Sequence, residues 1–126
     1  MLETVSAIIF SALTAIVILF QGCLAAGVPW GQASMGGRYP GKYPPKMRIV
    51  AVVNMLILGF FAALVLSEAG IMFLKLHPIS SVGIWIVVVF FGIATVMNTI
   101  TPSKIERFWA PVALLQLITS IIVAVS

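Results

Sequence analysis

A bundle of four transmembrane α-helices is the fold class this sequence predicts, and three observations predict it. Charged residues make up 8% of the 126, against about 25% in a soluble domain. The mean hydropathy is +1.22, and seven basic and three acidic side chains cannot solvate a globule of that composition. The apolar residues also gather into four stretches of about 20, the length that crosses a hydrocarbon core of about 30 Å. The whole chain, 1–126, is short enough to be one transmembrane domain.

The first helix is expected over 2–26, roughly 37 Å at the standard rise and so long enough to cross with some tilt. It carries no charge after Glu3. No Lys or Arg precedes its apolar run, so it reads as a retained helix rather than a signal peptide. Phe20-Gln21-Gly22-Cys23 is for the same reason a poor lipoprotein cleavage box. Ala7, Ser11 and Ala15 recur every fourth residue, a spacing that lets another helix approach closely.

The loop over 27–46 is the only long stretch unsuited to lipid. Pro29, Pro40, Pro44 and Pro45, with Gly36, Gly37 and Gly41, forbid a continuous helix through it. A connection of about 20 residues is unusual in a compact protein and often functional. Its first half is uncharged, and with Pro29 placed to start a turn and Trp30 suited to the interface it is expected to be ordered or partly re-entrant. Its second half holds Arg38, Lys42 and Lys46, and Arg48 follows closely.

The second helix is expected over 47–69, with Asn54 as its one polar residue in the membrane and Gly59 and Ala63 as a second small pair. Glu68 lies about 30 Å beyond Arg48 along the axis, at the opposite interface rather than at mid-membrane. Gly70 ends the helix, 71–76 extends along the interface, and His77-Pro78 stops it. The third helix is expected over 79–98. A short turn, 99–103, leads to Ser103 and Glu106, spaced as a capping box for a fourth helix over 104–125. A span beginning at Pro111 would be too short to cross, so a kink is expected between Arg107 and Pro111.

Charge sets the orientation. The first and third connections hold Arg38, Lys42, Lys46, Arg48, Lys104 and Arg107, whereas the other side holds Lys75 alone. The excess places loops 27–46 and 99–103 in the cytoplasm of a bacterial plasma membrane, with both termini outside. The stretches Pro44–Arg48 and Pro102–Arg107 resemble each other, as two duplicated helical hairpins would, or as two helices that share a need for a proline stop and basic anchors.

Two constellations are candidates for binding. Gln21, Asn54, Asn98 and Gln116 all fall in the cytoplasmic half by helix rise, and would line a pocket there if they converge. The bland alternative is that they bond helix to helix, at about 0.6–2 kcal/mol each. Arg38, Lys42, Lys46 and Arg48 would contact an anion or acidic lipid, with the amides of Gly36 and Gly37 assisting. The bland alternative is that they set topology and touch lipid headgroups. One cysteine, Cys23, excludes an intrachain disulfide, and one histidine, His77, excludes a multi-histidine metal site. No nucleophile–base–carboxylate set can be assembled, so no catalytic site, metal or cofactor is expected, and the positive charge concerns the membrane rather than nucleic acid.

Gly27-x-Pro29-Trp30-Gly31, Gly36-Gly37, Pro45-x-x-Arg48, Met97-Asn98 and Glu106-Arg107-x-Trp109-x-Pro111-Val112 give the chain a further aspect. In these short motifs, spread over most of its length, it resembles a group of small bacterial four-helix integral membrane proteins. The resemblance implies a four-helix bacterial protein with a structured first loop, and supplies no activity. Small multidrug transporters, by contrast, carry a carboxylate within the first helix, where this chain has only Glu3 at the very start. Two readings of function follow: an accessory, interaction or lipid-binding protein without an enzymatic site, or a small-solute transporter or channel subunit acting as a dimer.

Overall fold

In a computed structural model, which describes all residues from Met1 to Ser126, the chain is an all-α bundle of four helices. They are α1 (Leu2–Ala26), α2 (Pro45–Glu68), α3 (His77–Ile100) and α4 (Trp109–Val125). Each packs on its neighbour in sequence, and α1 closes the ring on α4. All four are long and apolar enough to span a membrane, α4 with the turn before it. The protein is a small multi-pass membrane protein, and its many exposed Leu, Ile, Val and Phe side chains face outward as a lipid-exposed surface must.

Local chemistry accounts for the helix ends. Pro45 opens α2 in the first turn, where its missing N–H would have had no partner. Gly27 ends α1 at a φ of 97°, with its own amide and that of Val28 bonded back to Leu24 and Cys23. Gly70 ends α2 in the same way, its amide bonded to Ser67 and that of Ile71 to Leu66. The residues 71–76 do not extend α2. Met72 and Phe73 turn the chain, and Leu74–Leu76 form one 3₁₀ turn. His77 and Pro78, expected to stop a helix, instead begin α3, because a proline in the first turn loses nothing.

The start of α4 also differs from expectation. A 3₁₀ turn covers Glu106–Phe108, and the α-helix begins only at Trp109. Pro111 therefore sits in the first turn, where no kink is required of it. The packing seams differ as well. Helix α1 buries Ser6, Ala7, Phe10 and Thr14, while Ala15 is exposed. On α2, Gly59 is exposed with no other chain segment within 4 Å of the position a Cβ would take. Ala7 of the expected seam is buried and Ser11 half-buried, but the buried face of α1 continues through Phe10 and Thr14 rather than Ala15.

The half of the bundle away from the 27–46 loop is tightly filled. Ala7, Phe10, Leu58, Phe61, Leu64, Val65, Ile84, Val87, Phe91 and Val123 form one buried cluster. Phe91 meets Phe10 edge-on at 5.3 Å between ring centres, and Phe61 meets Phe90 at 5.0 Å. At this end Ser80 donates to Glu68 at 3.0 Å, and His77 lies 3.6 Å from the same carboxylate. Glu68 thus lies at the end of α2 away from the 27–46 loop, beside the start of α3. Replacing Phe91 by Ala should lower stability in detergent or nanodiscs by about 3 kcal/mol or less. That is the low end for a buried Phe, because lipid solvates the exposed ring about as well as the interior does. Thermal unfolding of the variant against the parent measures it.

Candidate functional site

At the other end the long loop folds over the bundle as a roof. The Gly31 amide bonds to the Gly41 carbonyl at 2.9 Å and pinches the loop shut. Only glycine fits there, since a Cβ would lie 1.9 Å from the Tyr39 carbonyl oxygen. Inside this pinch the chain makes two 3₁₀ turns, Gly31–Ala33 and Met35–Gly37, and no α-helix. Tyr43 turns inward and packs with Leu24, Met47 and Ala51, which anchors the loop to α1 and α2. Its hydroxyl shares a hydrogen bond with Ser34. Burial pushes the Tyr43 phenol above its usual value of 10.0, with Ser34 opposing and Glu106 adding to the rise.

A carboxylate joins this roof to the second connection. Both oxygens of Glu106 accept from the Gly36 amide, at 3.2 and 3.3 Å, and one also accepts from the Thr101 hydroxyl. Ser103 accepts from the Glu106 amide at 3.3 Å, which is one half of the expected capping box. The other half is not made. The Glu106 side chain reaches across to the 27–46 loop, and the Ser103 hydroxyl donates to Gln32 O at 2.6 Å. Arg107 Nε donates to Thr101 O at 3.0 Å. No cationic nitrogen lies within 4.0 Å of Glu106, since the only such pair in the protein is His77 with Glu68.

Beneath the roof is a cavity of about 820 Å³, within the about 300–1,000 Å³ of small-molecule sites. Gln21, Asn54, Asn98 and Gln116 all line it. Leu58 and Phe91 belong both to its wall and to the buried cluster, so that cluster is its floor. Exposed residues of α2 and α3 form part of its wall. These helices touch through Phe61, Leu64 and Ser67 in the far half, whereas toward the loop the cavity separates Asn54 and Ile57 from Ala94, Met97 and Asn98. Ile57 is 39% and Met97 60% exposed on that side.

The four amides differ in what they bond. Gln116, 2% exposed, donates to Thr14 Oγ1 at 3.0 Å and so ties α4 to α1. Asn98 donates to Ala94 O at 2.7 Å, within its own helix. Gln21 and Asn54 have no partner in the protein, and neither is sealed away from the cavity. One amide of the four therefore works as interhelical glue, and two line the cavity with no partner in the protein.

The four basic residues do not converge. Arg38 lines the cavity from the roof. Lys42 and Lys46 are exposed and away from it. Arg48 donates to Tyr43 O at 3.0 Å and lies over Gly27, beside the negative end of α1. The anion that meets the Gly36 amide is the protein's own Glu106. Glu106, Thr101 and the aromatic wall of Trp109 and Phe20 escaped the sequence reading. A capping box assigned Glu106 to a local partner, and no local signal links it to a glycine 70 residues earlier.

Two variants probe the roof. Gly31→Ala should open the loop, and limited trypsin digestion should then cut at Arg38 and Lys42 far faster than in the parent. In the folded state Tyr43 favours its neutral form, so its contribution to stability is complete below about pH 10 and is lost as pH rises through the raised value. Spectrophotometric titration should find one of the two tyrosines ionising late, and Tyr43→Phe should remove that late step.

Compared with models of known protein families, with curated proteins and with solved structures, the chain matches none.

Proposed function

We propose that this protein binds an amphipathic, lipid-like molecule that enters sideways between α2 and α3, without transforming it chemically. The observation that carries this reading is a mostly apolar cavity under the loop, with the exposed Ile57 and Met97 on its wall, that Gln21 and Asn54 also line with amides that have no partner in the protein. Unpaired amides at membrane depth are costly unless water or a ligand meets them. A ligand with a hydrocarbon chain and a polar head matches both kinds of wall.

In this reading the protein sits in a bacterial plasma membrane with the roof in the cytoplasm and both termini outside. Six of the seven Lys and Arg residues lie at the roof end, which is the support for that orientation. The exposed Lys42 and Lys46 there would attract acidic lipids, at about 1 kcal/mol each. The second reading is a solute transporter or channel subunit, acting as a homodimer or with a membrane-protein partner. It is favoured by the convergence of all four amides on one cavity, but it requires the floor at Leu58 and Phe91 to open.

Native mass spectrometry of the protein released from nanodiscs tests the first reading. The parent should retain a lipid or single-chain amphiphile. Asn54→Leu should lower the retained fraction roughly tenfold, and Ala94→Phe, which fills the cavity, should abolish it. Equal retention by the parent and Ala94→Phe would refute the proposal. Flux of a small solute into reconstituted vesicles that Asn54→Leu abolishes would establish the second reading instead.

A further inference from the structure

We infer that the cavity selects an amphiphile whose head carries a protonated amine, held by the carboxylate of Glu106. This inference rests on the cavity being a ligand site and names the class of ligand. Only two charged side chains line the cavity, Glu106 and Arg38, and both do so from the loop end. They are not paired with each other, since no nitrogen of Arg38 comes within 4.0 Å of a Glu106 oxygen.

The two charges are held differently. Arg38 is exposed at the edge of the roof, where a guanidinium is well hydrated and needs no partner. Glu106 is half-buried. Its donors are neutral, the Gly36 amide and the Thr101 hydroxyl, and both belong to residues of the cavity wall. Arg107, the next residue, is turned to the Thr101 carbonyl. The carboxylate is therefore held in position by two connections of the chain, with no cationic nitrogen within 4.0 Å of it. A fixed, partly desolvated anion beside an apolar cavity favours a cationic donor over a neutral one, because a charge-assisted hydrogen bond is about twice as strong as a neutral one.

The rest of the wall fits such a ligand. Phe90, Phe91, Ile57 and Met97 offer an apolar bed, and the unpartnered amides of Gln21 and Asn54 add acceptors and donors to the same wall. The amine could belong to a simple long-chain amine or to an aminoethyl phosphate headgroup. In the second case the phosphate would meet Arg38, whose charge is opposite and whose place is on the same roof.

The test uses the full-length protein in phosphatidylcholine nanodiscs and three single-chain probes of equal chain length: a primary amine, an alcohol, and a lysophosphatidylethanolamine. Binding is read from quenching of Trp109 by brominated chains in a Trp30→Phe/Trp85→Phe background. The parent should bind the amine roughly tenfold or more above the alcohol. Glu106→Gln, which keeps an acceptor for Gly36, should bring the amine down to the level of the alcohol and leave the alcohol unchanged. If Arg38→Gln weakens only the lysophosphatidylethanolamine, the head is zwitterionic, and if it weakens neither, it is a simple amine. Equal binding of amine and alcohol by the parent overturns this inference while leaving the cavity as a ligand site. Failure of all three probes to reach Trp109 overturns the cavity reading itself. The comparison of probes on the parent decides the matter even if Glu106→Gln fails to fold.

Discussion

The bond from Glu106 to the Gly36 amide is the contact on which the rest of this end of the protein depends. It joins the two connections on one side of the bundle, together with the bond from the Ser103 hydroxyl to Gln32 O. Tyr43 anchors the end of the loop to α1 and α2, and the bond to Glu106 fixes its middle. Tied, it roofs the gap that α2 and α3 leave between them. The charge is also placed where a helix favours it, at the start of the 3₁₀ turn that leads into α4.

The two halves of the bundle answer the same physical demand in opposite ways. In lipid, apolar side chains gain little by leaving the solvent, so helices are held by close packing and by bonds between their few polar groups. Away from the roof, interlocked aromatic rings fill the centre, and serines and a carboxylate finish the interface. Beneath the roof the centre is not filled. Gln116 still ties α4 to α1 there, but Gln21 and Asn54 are left facing the space.

Several features were legible from local chemistry. Gly27 and Gly70 ended helices in the left-handed conformation that glycine readily supplies, and Glu68 lies at the far end of α2 from Arg48 because helix rise is constant. Others misled for equally local reasons. Pro78 and Pro111 were read as a stop and a kink, yet each lies in a first turn, where proline is at ease. Ser103 and Glu106 carry the spacing of a capping box, and that spacing concealed a carboxylate that serves a distant glycine.

By itself, the sequence determined that the chain crosses a bilayer in four helices, and which end of them is basic. Those properties are sums over composition and spacing, and no neighbour in space can change them. Only the tertiary structure decided that the four amides share one cavity, that two of them are unbonded, and that Glu106 is tied to Gly36 with no cationic nitrogen within 4.0 Å. These depend on how each helix is rotated about its axis and on contacts between residues far apart in the chain. Periodicity could not assign those rotations, because in lipid both the inner and the outer face of a helix are apolar.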